Sequence, residues 1–186
     1  MIILGIDPGT LVTGYGVIES LQKGSKLSLV EYGTIESKRI ASLPLRLRTI
    51  FTRLTAVIER VEPDELAIES AFYHKNVQST LKLGHARGVA ILAGILKEVT
   101  AAEYAPREVK RAVVGNGNAS KDQVEYMVRA MLGLKESDKK LPDAYDALAV
   151  AITHAARSGG STAKKSWKNW KQFAEENPER IRGLKV

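Results

Sequence analysis

One short stretch constrains the fold more than any other: the first eighteen residues, MIILGIDPGTLVTGYGVI. The apolar, β-branched run from Ile2 to Ile6 predicts a buried strand, and that strand ends on an acid, Asp7. Pro8–Gly9 then stops strand pairing and turns the chain, so a second strand from about Thr13 to Ile18 should complete a hairpin. Burying a carboxylate is costly unless something pairs with it. Two interpretations stay open: Asp7 anchors a metal site, or it caps the turn with its own side chain.

The composition narrows the class of protein. A chain of 186 residues, 44% of them hydrophobic, is long and apolar enough for one domain with a packed core. The absence of cysteine excludes disulfides, zinc–thiolate sites and cysteine nucleophiles. Because the N-terminus has no signal-peptide pattern and no apolar run could span a bilayer, we expect a cytoplasmic protein with no membrane partner.

The positive charge is concentrated near the C-terminus. The formal net charge is +7, which is typical of proteins that bind nucleic acid. Residues 158–186 carry seven Lys/Arg and three Glu, a net charge of +4, and their Ser-Gly-Gly-Ser-Thr opening is typical of a flexible break. We therefore predict a folded domain over residues 1–157 and a basic appendage over residues 158–186. Any nucleic-acid surface on the folded domain should be a local patch.

The segments after the hairpin predict a sheet with both antiparallel and parallel strands. A third strand from Leu27 to Ile35 continues an antiparallel meander. Apolar spacing between Ser42 and Pro63 predicts a helical crossover, after which the short strand Leu66–Ile68 should pair parallel with the first strand. This strand also ends on an acid, Glu69. We therefore expect the carboxylates of Glu69 and Asp7 side by side, roughly 5 Å apart, at one edge of the sheet.

A helix from about Ser79 to Val99 is apolar on nearly every side, which predicts that it is buried all round. Two surroundings stay open: the interior of the fold, or the surface of a second subunit. Gly84 and Gly88, one turn apart, permit close backbone approach and favour a partly dimeric role. We interpret His85, within this helix, as a structural residue.

The last predicted core helix, from Leu141 to about Ala156, carries Asp143 and Asp146 on one face because they are three residues apart. One interpretation is that they only match the helix dipole, which favours negative charge in the first turn. The other is that they join Asp7 and Glu69. Ala147, Val150 and Ala151 leave almost no polar face to expose on this helix, which favours the second interpretation.

Four acids therefore have reasons to meet: Asp7, Glu69, Asp143 and Asp146. Carboxylates about 4 Å apart repel by roughly 1 kcal/mol in water and about 4 kcal/mol at a protein-like dielectric, so such a cluster needs protons or cations. Sets of oxygen ligands select Mg²⁺ or Mn²⁺, and two such ions roughly 4 Å apart can activate a water and stabilise the leaving oxygen in phosphoryl displacement. His154 shares the aspartate face but lies about 16 Å along the helix, too far to join.

Five motifs occur in order along the chain: ILGIDPGT-LVTGYGVI, LAIES-AFYHKN, LKLGHARGVA, VKRAVVGNGNASKDQV and LPDAYDALAVAITHAA. Together they resemble the RuvC family of bacterial Holliday-junction resolvases over about Met1 to Ala156. The resemblance implies an α/β, ribonuclease H-like fold: a mixed five-stranded sheet, an antiparallel meander followed by parallel strands, flanked by helices. It also implies a homodimeric, Mg²⁺-dependent endonuclease that resolves four-way DNA junctions by paired symmetric nicks during recombination and repair.

The same resemblance assigns residues and partners. The acidic tetrad of the family, which holds two Mg²⁺ with Mn²⁺ as a probable substitute, falls on Asp7, Glu69, Asp143 and Asp146. Some relatives have histidine where this chain has Asp143. The aromatic residue that acts on bases at the junction centre falls on Phe72, and two lysines near the substrate fall on Lys110 and Lys121. A branch-migration complex, RuvA and RuvB, is implied as a partner.

The residues support DNA contacts independently of the resemblance. Phe72 lies three residues beyond Glu69, within reach of a substrate at the metals, and stacking on unpaired bases is worth about 1–3 kcal/mol per base. The alternative for Phe72, and equally for Tyr73, is a place in the core. Basic side chains from different segments predict phosphate contacts, which position DNA without reading its sequence, although each alone could be a solvated charge. These are Lys75, Lys110, Arg111 and Lys121.

Two other function classes share some of these features. Sugar kinases and actin-like ATPases also have Asp-x-Gly-Thr after a first strand, but they need two such lobes, and this chain has one DPGT and too little length. A basic DNA-binding scaffold without catalysis is the non-enzymatic alternative. The presence of all four acids argues against it.

Overall fold

A single mixed sheet organises the part of the chain that the computed structural model describes, residues 1–21, 26–70, 77–135 and 141–159. Its strands are β1 (Ile2–Asp7), β2 (Val12–Leu21), β3 (Lys26–Glu36), β4 (Glu65–Glu69) and β5 (Thr100–Tyr104). The helices are α1 (Leu43–Val61), α2 (Val77–Ile95), α3 (Pro106–Val114), α4 (Lys121–Leu132) and α5 (Pro142–Gly159). The predictions for Phe72, Tyr73 and Lys75, and the appendage from residue 160 onward, lie outside the described residues.

The strand order is β3-β2-β1-β4-β5, with β1 at the centre. Strand β2 pairs antiparallel with both β1 and β3, whereas β4 pairs parallel with β1 and β5 pairs parallel with β4. This arrangement confirms the predicted class, an antiparallel meander followed by parallel strands. Ile6 is in register with Ile68, so Asp7 and Glu69 follow as neighbours at the same edge.

Helices cover both faces of the sheet, and each face has its own core. On one face, α1 buries Ile50, Leu54 and Val57 against the sheet, together with small residues of α2. On the other face, α5 lies against the central strands and is covered in turn by α3 and α4. Helix α5 is therefore buried on nearly every side, as its lack of a polar face predicted. Among the described residues, none of the helices has the length and apolarity needed to cross a bilayer.

Close packing of α5 depends on glycines in β1 and β2. A Cβ at Gly14 would lie 1.9 Å from the backbone oxygen of Asp143, and one at Gly5 would lie 2.1 Å from the backbone oxygen of Ala147. The helix backbone thus rests directly on the strands. Since Gly14 pairs with Asp7, this contact brings the first turn of α5 to the strand end that carries the acid.

Helix α2 differs from the prediction of burial on every side. Its fully buried residues within the chain are small, Ala86, Ala90, Ala93 and Gly94, while most of its large apolar side chains are exposed or only partly buried. At Gly94 the packing is tightest, because a Cβ there would meet the Leu66 side chain at 2.2 Å. The interior alternative is therefore wrong for most of the large side chains, and His85 is exposed instead of structural.

The ends of several elements also differ from prediction. Helix α2 stops at Ile95, before the predicted Val99, because the chain turns through Glu98, whose φ of 59° lies in the left-handed region. Strand β2 continues to Leu21, beyond the predicted Ile18, because β3 pairs with it along this whole length. Helix α5 continues to Gly159, two residues into the segment assigned to the appendage.

Replacing Gly14 by alanine should destabilise the fold by about 1–3 kcal/mol, because overpacking here pushes on helix backbone, which cannot rotate away. Urea unfolding would measure the change. Gly33→Ala is a matched control in the neighbouring strand, since its Cβ would meet the tip of the Tyr15 side chain, which can move. Equal stability of the two variants would contradict the close contact at Gly14.

Candidate active site

Two strand ends bring the first two acids together. Asp7 ends β1 and Glu69 ends β4, and the parallel register of these strands sets their side chains side by side. Their carboxyl groups are joined by a hydrogen bond, which favours a proton on Asp7 and negative charge on Glu69. The predicted adjacency of these two acids at one sheet edge is therefore present in the structure.

Helix α5 adds the other two acids. The carbonyl of Asp143 lies over Gly14, the strand partner of Asp7, and Asp146 follows one turn later. Both carboxylates are close enough to Asp7 to raise its pKa by repulsion. The four side chains thus come from three distant parts of the chain and interact at one end of the sheet.

The shared environment raises the pKa of both inner acids, Asp7 and Glu69. Burial is the largest cause that raises the pKa of Asp7, to about 8, followed by repulsion from Glu69 and Asp146. Burial also raises the pKa of Glu69, again with repulsion from Asp146, although the hydrogen bond from Asp7 and the charges of Lys121 and Lys110 act in the opposite direction. A carboxyl group has a raised pKa when too little positive charge or hydrogen bonding nearby stabilises its anionic form.

Basic side chains reach the acids from the far side of α5. Lys121, the first residue of α4, places its Nζ 2.7 Å from Oδ2 of Asp146. Lys110 of α3 is half-buried, and its charge lowers the pKa of Glu69 without a direct bond. Arg111 is exposed, and the acid whose pKa its charge lowers is Glu108 on its own helix. Of Lys110, Arg111 and Lys121, the predicted basic DNA contacts that the structure describes, Lys121 and Lys110 therefore act on the acids most directly.

The donor set fits hard divalent cations. All four side chains offer carboxylate oxygens, which Mg²⁺ and Mn²⁺ prefer, and their mutual repulsion would be relieved by cations. Within the described residues, no three or more acidic or histidine side chains are placed closely enough to hold a metal ion as they stand. The site is a set of interacting carboxylates whose side chains would still need to adjust around an ion.

His154 belongs to a separate hydrogen-bonded group. It is buried, its Nδ1 lies 2.7 Å from the hydroxyl of Tyr104, and its Nε2 contacts the Glu65 carboxylate. Glu65 begins β4, at the opposite end of that strand from Glu69. The prediction that His154 lies too far from the aspartates to join them is confirmed.

Sequence reasoning missed two features of the site. One is the close packing of the Asp143 backbone on Gly14. The sequence did contain a signal for it, because Gly14 and Gly16 share one face of β2 and small residues recur four apart on α5, at Ala147 and Ala151. The other is the ion pair between Lys121 and Asp146. No sequence pattern indicates it, because the two residues lie on different helices.

Comparison with known proteins places these features in a family. The family model described as "Crossover junction endodeoxyribonuclease RuvC" matches residues 3–154, most of the chain. The chain belongs to the RuvC family. A relative from Cytophaga hutchinsonii is 47% identical over 97% of this chain and 88% of its own length, and one from Porphyromonas gingivalis is 43% identical over 97% of both chains. Both carry the name crossover junction endodeoxyribonuclease RuvC.

Solved structures agree with membership of the RuvC family. T. thermophilus RuvC, in complex with a Holliday junction substrate, superposes with a TM-score of 0.78 at 32% identity and covers 86% of this chain and 95% of its own. The yeast mitochondrial Holliday junction resolvase Ydc2 superposes with a TM-score of 0.58 at 13% identity over 98% of this chain and 86% of its own, which supports the fold alone. The expected resemblance and the ribonuclease H-like fold class are thus confirmed.

The raised pKa of Asp7 predicts an unusual pH dependence of stability for the metal-free protein. The native pKa of about 8 lies above the ordinary value of 3.8, so between these values the folded state binds a proton that the unfolded state has lost. Stability should therefore fall as the pH rises from about 4 to about 8, by on the order of a few kcal/mol. Urea unfolding in a chelator across this range would measure it. The variant Asp7→Asn should have a flatter profile, and identical slopes for both proteins would contradict the pKa assignment.

Proposed function

We propose that this protein is a Mg²⁺-dependent endonuclease that resolves four-way DNA junctions by paired, symmetric nicks during recombination and repair. The observation that carries the proposal is the meeting of four carboxylates at one sheet edge in a chain of the RuvC family. Nucleases of this family are metal-dependent. The identity of the metal as Mg²⁺, with two ions per site, follows from the all-oxygen donor set and the need to neutralise four acids.

The proposed ligands are Asp7, Glu69, Asp143 and Asp146, and Mn²⁺ should substitute for Mg²⁺. When bound, the ions would supply an activated water and a stabilised leaving oxygen for phosphodiester hydrolysis. The strand ends hold Asp7 and Glu69 in fixed positions, because their backbones belong to the central pair of parallel strands. The start of α5 can hold Asp143 and Asp146 equally firmly, since the rest of that helix is largely buried.

The proposed DNA contacts surround these acids. Lys110 and Lys121 would bind backbone phosphates beside the cleavage position, since their charges already act on the acids. Arg111, exposed on the same helix as Lys110, would bind a phosphate farther along. Phe72, Tyr73 and Lys75 are proposed to contact bases and phosphates at the junction centre, on the strength of their place directly after Glu69.

The exposed face of α2 is proposed to bind a second copy of the chain. This face presents a row of large apolar side chains at helical spacing: Val77, Leu81, Leu92, Ile95 and, just after the helix, Leu96. Between them, Gly84 and Gly88 have open space where a Cβ would be, so another helix backbone can approach closely. Two opposed strands require two sites related by a two-fold axis, and a homodimer supplies that symmetry.

Two further parts of the proposal concern where and with which partners the enzyme acts, and how its chain is divided. We expect it to act in the cytoplasm, with the branch-migration proteins RuvA and RuvB, on the basis of family membership. We also keep the division into a nuclease domain over residues 1–157 and a basic appendage over 158–186. The family match ends at residue 154, which supports a boundary near this position.

The variant Asp7→Asn should bind a synthetic four-way junction with affinity close to that of the wild type, yet lose cleavage in Mg²⁺ by at least about a hundredfold, because a neutral amide is a poor ligand for a hard cation. Gel-shift and cleavage assays on the same junction would measure both properties. Asp64→Asn, an exposed aspartate next to the start of β4, is the matched control and should cut normally. Normal cutting by Asp7→Asn would remove Asp7 from the mechanism. A wild type that binds but never cuts would favour the scaffold alternative.

The variant Leu92→Glu should convert the dimer to a monomer, since a charge would be buried in the proposed interface. Sedimentation or light scattering would report the mass, and a plasmid-borne junction assay would show nicks that are no longer paired. Leu45→Glu on α1 is the matched control, because Leu45 is 45% exposed and Leu92 is 49% exposed. A dimeric Leu92→Glu protein would place the subunit contact elsewhere.

A further inference from the structure

Lys121 occupies a position that its helix alone would disfavour. It is the first residue of α4, whose N-terminus is fixed by a capping box between Ser120 and Gln123. The positive end of a helix dipole repels cations, so a lysine here needs compensation from elsewhere. That compensation comes from Asp146, whose Oδ2 accepts a hydrogen bond from Nζ at 2.7 Å.

The ammonium group of Lys121 interacts electrostatically with more than one of the acids. Its pKa is raised first by the hydrogen bond to Asp146, and further by attraction from Asp146, Asp7 and Glu69. The lysine side chain is 78% exposed, whereas that of Asp146 is 23% exposed. A largely solvated cation therefore reaches inward to a mostly buried carboxylate.

We infer that Lys121 is a built-in counter-ion, which holds a ligand oxygen of Asp146 in the metal-free protein and is displaced toward DNA phosphate when a divalent cation takes that oxygen. The inference rests on the proposed function, in which Asp146 is a metal ligand. An ammonium and a divalent cation cannot share one carboxylate without strong repulsion. Displacement should cost little, because the lysine end of the pair is 78% exposed and ion pairs open to water contribute only about 0–1 kcal/mol.

This exchange has a consequence for binding. Lys121 competes with metal in the DNA-free protein, and metal binding frees it for phosphate, so that metal loading and DNA binding strengthen each other reciprocally. Lys110 offers a comparison within the same site. Its charge acts on Glu69 through space, but no hydrogen bond joins it to an acid in the described residues.

The test measures binding of Mn²⁺ alone to the DNA-free, full-length protein by calorimetry, for the wild type, Lys121→Met and Lys110→Met. Lys121→Met should bind Mn²⁺ about three- to tenfold more tightly, because a competing ion pair is gone. Lys110→Met, which removes an equal charge without a direct bond, should change the affinity less than about twofold. Thermal melting would establish that each variant is folded.

A second readout follows the ammonium group itself. In ¹H–¹⁵N spectra of lysine NH₃⁺ groups, the signal absent from Lys121→Met identifies Lys121, and added Mg²⁺ should shift it. Unchanged Mn²⁺ affinity in Lys121→Met, or an equal gain in Lys110→Met, would overturn the inference. The proposed metal site would survive that result if Asp146→Asn still weakened Mn²⁺ binding. If the wild type binds no Mn²⁺, or if Asp146→Asn binds Mn²⁺ as tightly as the wild type, both the inference and the proposed metal site are overturned.

Discussion

The backbone contact between the first turn of α5 and Gly14 of β2 determines where the candidate site can form. Gly14 is the strand partner of Asp7, so a helix resting on its missing side chain must begin beside the acid at the end of β1. Any larger residue at position 14 would lift the helix by the width of a methyl group or more. The site therefore depends on a packing constraint within the core, although its chemistry lies at the rim of the sheet.

Bringing the four acids together costs electrostatic free energy, and packing elsewhere in the fold must offset that cost. Burial and repulsion raise the pKa of Asp7 and of Glu69, so the fold disfavours the anionic form of each acid. Two apolar cores, one on each face of the sheet, hold the acids in place. Partial relief comes from Lys121 and Lys110, and cations would complete it. The same shortage of positive charge that weakens the metal-free protein is what bound cations would relieve in the proposed metal site.

The two faces of α2 differ in the size of their residues. Its fully buried residues are alanines and a glycine, packed most tightly where Gly94 meets the Leu66 side chain, and most of its large apolar residues are left exposed or partly buried. Within one chain such a face is exposed to water, which is unfavourable. A second subunit would cover it. The helix that closes one core thus also provides the surface on which a two-fold enzyme can be built.

The amino-acid sequence by itself determined the meander of β1, β2 and β3, the parallel pairing of β4 with β1, the two acids at the ends of β1 and β4, and the pair of acids on α5. These follow from local rules: apolar runs give strands, a helical crossover gives parallel pairing, and a spacing of three gives one helix face. Only the tertiary structure decided that Gly14 seats Asp143, that Lys121 meets Asp146, and that the outer face of α2 holds its large residues. Each of these depends on which surfaces of distant segments touch, and periodicity along one segment carries no information about its partner.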